Sequence, residues 1–226
     1  MRRPLVPSLV AAAVLLSGCD EGTGPLQTRE NAFAWSDHMA AGSTLLVRSM
    51  RGDIVVAVGT DDTARVTARL EWRKGDPDET LRLSGSRQGE DALICAVWGE
   101  GSCSRENYNA KMNGGATDAK VHFTITVPEG VKLHLMDIDG DVTASASAPV
   151  KARTMNGDVR VATSVGPVDG ESLNGSVDIR MSSLSGADSV KATTLNGDAF
   201  IYLPDPIDAL VDLGVTNGSV STEFPV

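Results

Sequence analysis

Three carboxylates stand at alternate positions in Asp137-Ile138-Asp139-Gly140-Asp141, the spacing by which calcium loops gather oxygen ligands. An EF-hand loop starting at Asp137 would need glycine at its sixth position and glutamate at its twelfth. Those positions hold Val142 and Ala148, so no metal is expected there. Arg51-Gly52-Asp53 spells an integrin-type tripeptide. His122 and His134 each alternate with apolar neighbours, which places them on a strand face turned away from the core, solvated rather than ligating. The chain has no Gly-x-Ser-x-Gly elbow, phosphate-cradling Gly-x-x-x-x-Gly-Lys, His-Glu-x-x-His or zinc-spaced cysteine set, so neither enzyme activity nor a cofactor is expected. Paired carboxylates for glycoside hydrolysis are the one enzymatic alternative, because acidic residues are plentiful. Nine aromatic side chains in 226 residues leave little to hold a sugar or a base. A formal charge of -10 (30 acidic against 20 basic residues) argues against nucleic acid, whose phosphates need a basic surface.

The N-terminus decides the compartment. Arg2 and Arg3 precede an apolar run from Leu5 to Leu16, too short to span a bilayer, so residues 1–18 read as an export signal. Leu16-Ser17-Gly18-Cys19 resembles the bacterial lipobox, which implies cleavage before Cys19 and lipidation of its thiol. Two or more acyl chains hold a protein stably on a membrane where one does not. Residues 19–31, polar with Gly and Pro, read as a lipidated, flexible tether, and residues 32–226 as the folded domain. Cys95 and Cys103 remain. In an oxidising compartment, with Gly99 and Gly101 letting the chain fold back, they are expected to form a structural disulfide.

Behind these residues lies a repeat. Aligned on Gly52, Gly140, Gly157, Gly175, Gly197 and Gly218, one pattern returns six times. Apolar residues stand seven before each glycine (Leu45, Leu133, Val150, Val168, Val190, Val211), and Asn156, Asn174, Asn196 and Asn217 immediately precede the last four. Asp or Ser follows every glycine, and an apolar residue comes next, as in Val142, Val159 and Val177. Arg51-Gly52-Asp53 is thus the first copy of this corner. Asn-Gly is also the strongest hairpin signal, so two all-β architectures compete. A hairpin would put Leu173 and Ser176, or Met155 and Asp158, on one face. A β-solenoid, or β-helix-like stack with Asn-Gly at each corner, lets the alternation change phase there, so that both flanking apolar positions point inward. The solenoid is the favoured expectation, antiparallel hairpin repeats in a sandwich the alternative. Stacked asparagines could then form an amide ladder, and Asp141 and Asp158 would lie about 4.8 Å apart on adjacent rungs.

The repeated Thr/Ser-apolar-Asn-Gly-Asp/Ser-Val units resemble the toastrack family, an adhesin-type domain of unknown function built from β-strand repeats. Phe33-Ala34-Trp35-Ser36, the Cys95 to Cys103 insertion and Val127-Pro128-Glu129-Gly130-Val131 add to the resemblance. It implies a solenoid-like fold outside the cytoplasm, with roles in adhesion or envelope sensing and no catalytic residues. The expected protein is a cell-envelope binding or scaffold module, lipid-anchored on the periplasmic face of the inner membrane or on the outer membrane. Its partner would be an envelope protein or polysaccharide. The alternative is a structural protein that self-associates through an uncapped C-terminal end, since repeat stacks need caps.

The lipid anchor predicts that Cys19→Ser moves the chain from the membrane to the soluble fraction after cell fractionation. A variant that stays membrane-bound after processing would remove the anchor.

Overall fold

The computed structural model describes residues 24–111, 117–185, 188–206, 210, 212 and 221–223. Residues 1–18 with the expected signal, the expected lipidation site Cys19, and the sixth corner, Asn217-Gly218, lie outside them. The described chain is all-β, with one four-residue helix, α1 (Pro77–Thr80), started by Asp76 accepting the Asp78 N–H. Its strands are β1 (Gln27–His38), β2 (Thr44–Arg48), β3 (Ile54–Val58), β4 (Thr63–Trp72), β5 (Leu81–Gln88), β6 (Asp91–Trp98), β7 (Ser102–Cys103), β8 (Tyr108–Asn109), β9 (Lys120–Val127), β10 (Lys132–Met136), β11 (Val142–Ala146), β12 (Val150–Asn156), β13 (Val159–Thr163), β14 (Val168–Asn174), β15 (Val177–Met181), β16 (Val190–Asn196) and β17 (Ala199–Tyr202).

Two large sheets carry the fold, and neither closes into a barrel. One runs β1-β4-β9-β3-β11-β13-β15-β17, the other β16-β14-β12-β10-β2-β6-β5. The strands flanking each Asn-Gly therefore lie in different sheets, and hairpin pairing across the corner does not occur in the described repeats. Pairing between repeats is parallel and in register: Leu45, Leu133, Val150, Val168 and Val190 align across one sheet. Ile54, Val142, Val159, Val177 and Ala199 align across the other. These are the residues seven before and two after each glycine. Most are fully buried between the sheets, and each buried Val or Leu stabilises the fold by about 1.5–3 kcal/mol.

The first and second repeats are neighbours in space although Gly52 and Gly140 are far apart in sequence. At one end of the stack the chain builds antiparallel strands, β1 from before the first corner and the others from between the two: β1 pairs with β4 and β4 with β9, and β5 with β6. Gly85 on β5 leaves room for the Trp35 indole of β1, which joins the outer strands of the two sheets. Trp98, Phe123, Ile94 and Ile125, all among the largest fully buried side chains, fill this end.

The expected tether overran into the fold. Gln27, Thr28 and Arg29 pair with Trp72, Glu71 and Leu70 before an irregularity leads to Phe33. Asn31, inside it, has φ 50°. Arg29 anchors this stretch through Asp78 at 2.6 Å and over the Trp72 ring at 5.4 Å. Strand pairing, which local polarity does not report, makes Gln27–Asn31 part of β1. Cys95 and Cys103 are disulfide-bonded, with Cα atoms 6.2 Å apart.

At the corners, a Cβ added to Gly175 would lie 2.0 Å from the carbonyl oxygen of Gly157, and its φ is 150°. Gly175→Ala should therefore cost at least about 3 kcal/mol in urea unfolding, combining strain with separation of neighbouring rungs. A loss below about 1 kcal/mol would show that the stack tolerates the separation.

Candidate functional site

The corner column is the most repeated construction in the molecule, and each residue type in it has a hydrogen-bonding role. The N–H groups of Gly140, Gly157 and Gly175 donate to the carbonyls of Asn156, Asn174 and Asn196 on the next repeat, at 2.9–3.0 Å. Glycine alone permits this approach: the space a side chain would take at Gly140, Gly157 or Gly197 is filled by the previous glycine's carbonyl oxygen at 2.0–2.2 Å. The expected amide ladder is present, Asn174 Nδ2 donating to Asn156 Oδ1 and Asn196 Nδ2 to Asn174 Oδ1, both at 2.8 Å. The residue after glycine caps the next repeat. Asp53, Asp141 and Asp158 each accept, through Oδ1, the backbone N–H of Asp141, Asp158 and Ser176 respectively, at 2.8–3.1 Å. Arg160 bridges Asp141 and Asp158, so the repulsion between these stacked acids is partly offset within the chain.

The three alternate carboxylates Asp137, Asp139 and Asp141 go to separate tasks. Asp141 belongs to this column, Asp139 lies 3.8 Å from Arg51, and Asp137 is buried inside the corner. Both charges of Arg51-Gly52-Asp53 are engaged, Arg51 with Asp139 and Asp53 with Asp141 and His122.

The expectation that both apolar flanks of each corner point inward is corrected. The position after the corner is buried at Ile54, Val142, Val159 and Val177, and before it Met50 is buried as expected at the first corner, but the later corners differ. Met155, Leu173 and Leu195, two before the glycine, are 45, 37 and 70 % exposed. The phase holds because the preceding inward position is taken by a hydroxyl: Thr154, Ser172 and Thr194 donate to the carbonyls of Gly140, Gly157 and Gly175 at 2.7–2.9 Å. Plain alternation then turns the next residue outward. Three stacked apolar side chains form a ridge beside the amide ladder.

Asp137 occupies that hydroxyl position one repeat earlier, and Ser49 the repeat before. Asp137 is 1 % exposed; Oδ1 accepts the Ile138 N–H at 2.6 Å, and Oδ2 is buried without a partner. Burial pushes its carboxyl up to about 7, aided by Asp53 and Asp139, against the opposing backbone donors of Ile138 and Asp139. The Tyr108 hydroxyl, which donates to the Ala96 carbonyl at 2.6 Å, is near enough to feel Asp137 and is pushed upward in turn, mainly by its own burial. Protonated, Asp137 offers the O–H that the column requires. Its Oδ2 and the Gly52 carbonyl oxygen both lie against Gly140.

A second cluster gave no signal in the sequence. His122 faces away from the core, as expected, but is screened rather than solvated. Its Nδ1 lies 3.1 Å from Asp53 and its Nε2 3.4 Å from Glu71, and Arg69 pairs with Glu71 and approaches Glu30. A shallow cleft of about 270 Å³ opens over Glu30, Asp53, Arg69 and His122. The partners are 69 and 51 residues from His122, beyond the reach of any local pattern. Hydrogen bonding to Arg69 holds Glu71 below the usual carboxylate range, whereas a glycosidase acid must be raised. Among the described residues the one strongly raised carboxyl, Asp137, is sealed from substrate. His134 also departs from expectation: it is half-buried, and burial with Arg48, Lys151, Arg153 and Arg105 around it pushes its imidazole down to about 4.

No protein-family model and no curated protein matches the chain. Solved structures similar to it include a "putative cell adhesion protein" of Clostridium sporogenes, 10 % identical, covering 78 % of this chain and 100 % of that one with a TM-score of 0.49. Two others, each a "putative adhesin", come from Bacteroides fragilis (11 % identity, 79 % and 97 % coverage, TM-score 0.22) and Parabacteroides merdae (9 % identity, 81 % and 98 % coverage, TM-score 0.25).

Asp137 generates a pH prediction. Between its ordinary value of 3.8 and its folded value of about 7, the folded chain keeps a proton that the unfolded chain has released, so stability falls as pH rises through that window. Asp137→Thr supplies the hydroxyl without the charge. Urea unfolding at pH 4.5 and pH 8 should show the variant more stable at pH 8, on the order of 3 kcal/mol, with most of the decline removed. An unchanged pH slope would mean that Asp137 is ionised in the fold.

Proposed function

We propose that this chain is a lipid-anchored, extracytoplasmic β-solenoid of toastrack type, an adhesin-like or envelope-sensing binding module that performs no catalysis. The observation that carries the reading is the corner ridge. Met155, Leu173 and Leu195 stand exposed at the repeat interval beside Asn156, Asn174 and Asn196, whose amides are already committed to one another. A partner meets the same short apolar contact three times on a rigid rail, so individually weak contacts act together. The disulfide supports a location outside the cytoplasm, in keeping with the export signal expected over residues 1–18. Against catalysis stand the engaged carboxylates of the His122 cleft and the burial of Asp137. The partner this reading requires is an envelope protein or polysaccharide.

A specific feature favours self-association as a second reading. Among the described residues, β16 and β17 have no strand on their outer sides, and Phe200, Ile201 and Tyr202 of β17 are exposed. Paired edges between copies would cover them.

A photo-crosslinking side chain at position 173, carried by the anchored protein in the intact envelope, tests the first reading. Adducts with another envelope component should form there and fall at least tenfold when Met155→Asp and Leu195→Asp are added, with an unchanged melting temperature. Adducts of twice the chain's own mass favour self-association. Adducts no more abundant than at Thr143 on a neighbouring face would overturn the ridge as a binding surface.

A further inference from the structure

Arg48 is 5 % exposed and, among the described residues, has no carboxylate within ion-pair distance. It ends β2 on the outer face of the seven-stranded sheet, between Cys95 of β6 and Met136 of β10. The segment pinned by the Cys95–Cys103 disulfide crosses it, and Nη2 donates to the Arg105 carbonyl at 3.2 Å. Its Nε is buried with no acceptor, and burial together with Arg153 lowers its affinity for its proton. A buried guanidinium without an anionic partner is costly unless an anion completes it.

The surroundings reinforce the positive charge. Arg153 stands on the other side of Met136 in the same cross-strand row, two strand spacings of about 4.8 Å from Arg48, and its Nε is likewise buried without an acceptor. His134 and Lys151 occupy the adjacent row. His134 is kept neutral by burial and by these cations. Existing ion pairs do not balance the cluster. Arg105 is matched by Asp91, and Lys151 and Arg153 by Asp169 and Glu171, of which Asp169 keeps Oδ1 buried and unbonded. Three carboxylates serve four permanent cations, and the unmatched one is Arg48. In a chain of net charge -10, this is a local reversal of sign.

We propose that Arg48 and Arg153 bind a single oxyanion, of the phosphate or sulfate class, on the outer face of this sheet beside His134. Guanidinium groups present fixed N–H forks that suit such oxygens, and the Arg48 and Arg153 side chains flank β10 in one cross-strand row. The disulfide-pinned segment holds Arg48 in place, and its removal of water strengthens the attraction. The anion could be free or carried by a lipid headgroup. The site lies on the sheet face, not on the ridge, and stands or falls separately from the proposed function.

The test uses the lipidated full-length chain in neutral detergent with inorganic phosphate as the probe and chloride at equal ionic strength as the control. Phosphate at 10 mM should raise the melting temperature by several degrees and move the His134 imidazole titration, followed by NMR, from about 4 toward its ordinary value. Arg48→Met keeps the apolar stem and should abolish both effects. Arg153→Gln, which leaves Arg48 in place, should weaken phosphate binding about tenfold and serves if Arg48→Met does not fold. Phosphatidylcholine vesicles with and without phosphatidylglycerol separate the sources. Displacement of phosphate only by the phosphatidylglycerol vesicles assigns the anion to a headgroup, and no displacement assigns it to a free or polymer-borne phosphate. Equal responses to phosphate and chloride, or an unmoved His134 titration, would overturn the site.

Discussion

Everything in the stack depends on how closely two backbones approach at a corner. A glycine carbonyl of one repeat occupies the place where a side chain of the next would stand, at 2.0–2.2 Å from that point, and only a residue without Cβ allows it. This contact sets the registration of the two parallel sheets, because it locks one N–H to one carbonyl on every rung. The remaining corner positions then follow from hydrogen-bond supply. Asp or Ser caps the next N–H, a hydroxyl covers the glycine carbonyl, and asparagines bond to one another along the outside.

Where a rung departs from this supply, chemistry appears. Asp137 replaces a neutral hydroxyl with an acid, and the fold resolves the mismatch by favouring its proton, which makes this corner sensitive to pH near neutrality. The hydroxyl position also explains the ridge. Once Thr154, Ser172 and Thr194 are drawn inward to serve carbonyls, the apolar residue after each has no inward place to go. A requirement of corner stability thus produces a linear apolar surface.

The antiparallel end behaves differently from the repeats. It joins segments far apart in sequence, carries the aromatic core, and is where both clusters of unlike charges assemble: His122 between Asp53 and Glu71 on one sheet, and Arg48 beneath the disulfide-pinned segment on the other. The disulfide therefore does more than close a short loop. It holds the cover that removes Arg48 from water.

Several features were legible in the sequence because they are local or periodic. The residues seven before and two after each of the five described corner glycines pair across the sheets as the alignment implies, and Asn156, Asn174 and Asn196 stack. The Cys95 to Cys103 spacing, with glycines between, anticipates the disulfide. All these are dictated within one repeat or one short loop, where spacing alone determines which atoms meet. Tertiary structure decided the rest. Gln27–Asn31 are polar and look like linker, yet become strand because β4 offers them backbone partners. Met155 and Leu173 look like core, yet face solvent because a hydroxyl one residue earlier is needed inside. His122, Asp53 and Glu71, and likewise Arg48 and Arg153, meet only through pairings between strands distant in the chain. Charge and burial at such points depend on what lies across the sheet, which no local pattern encodes.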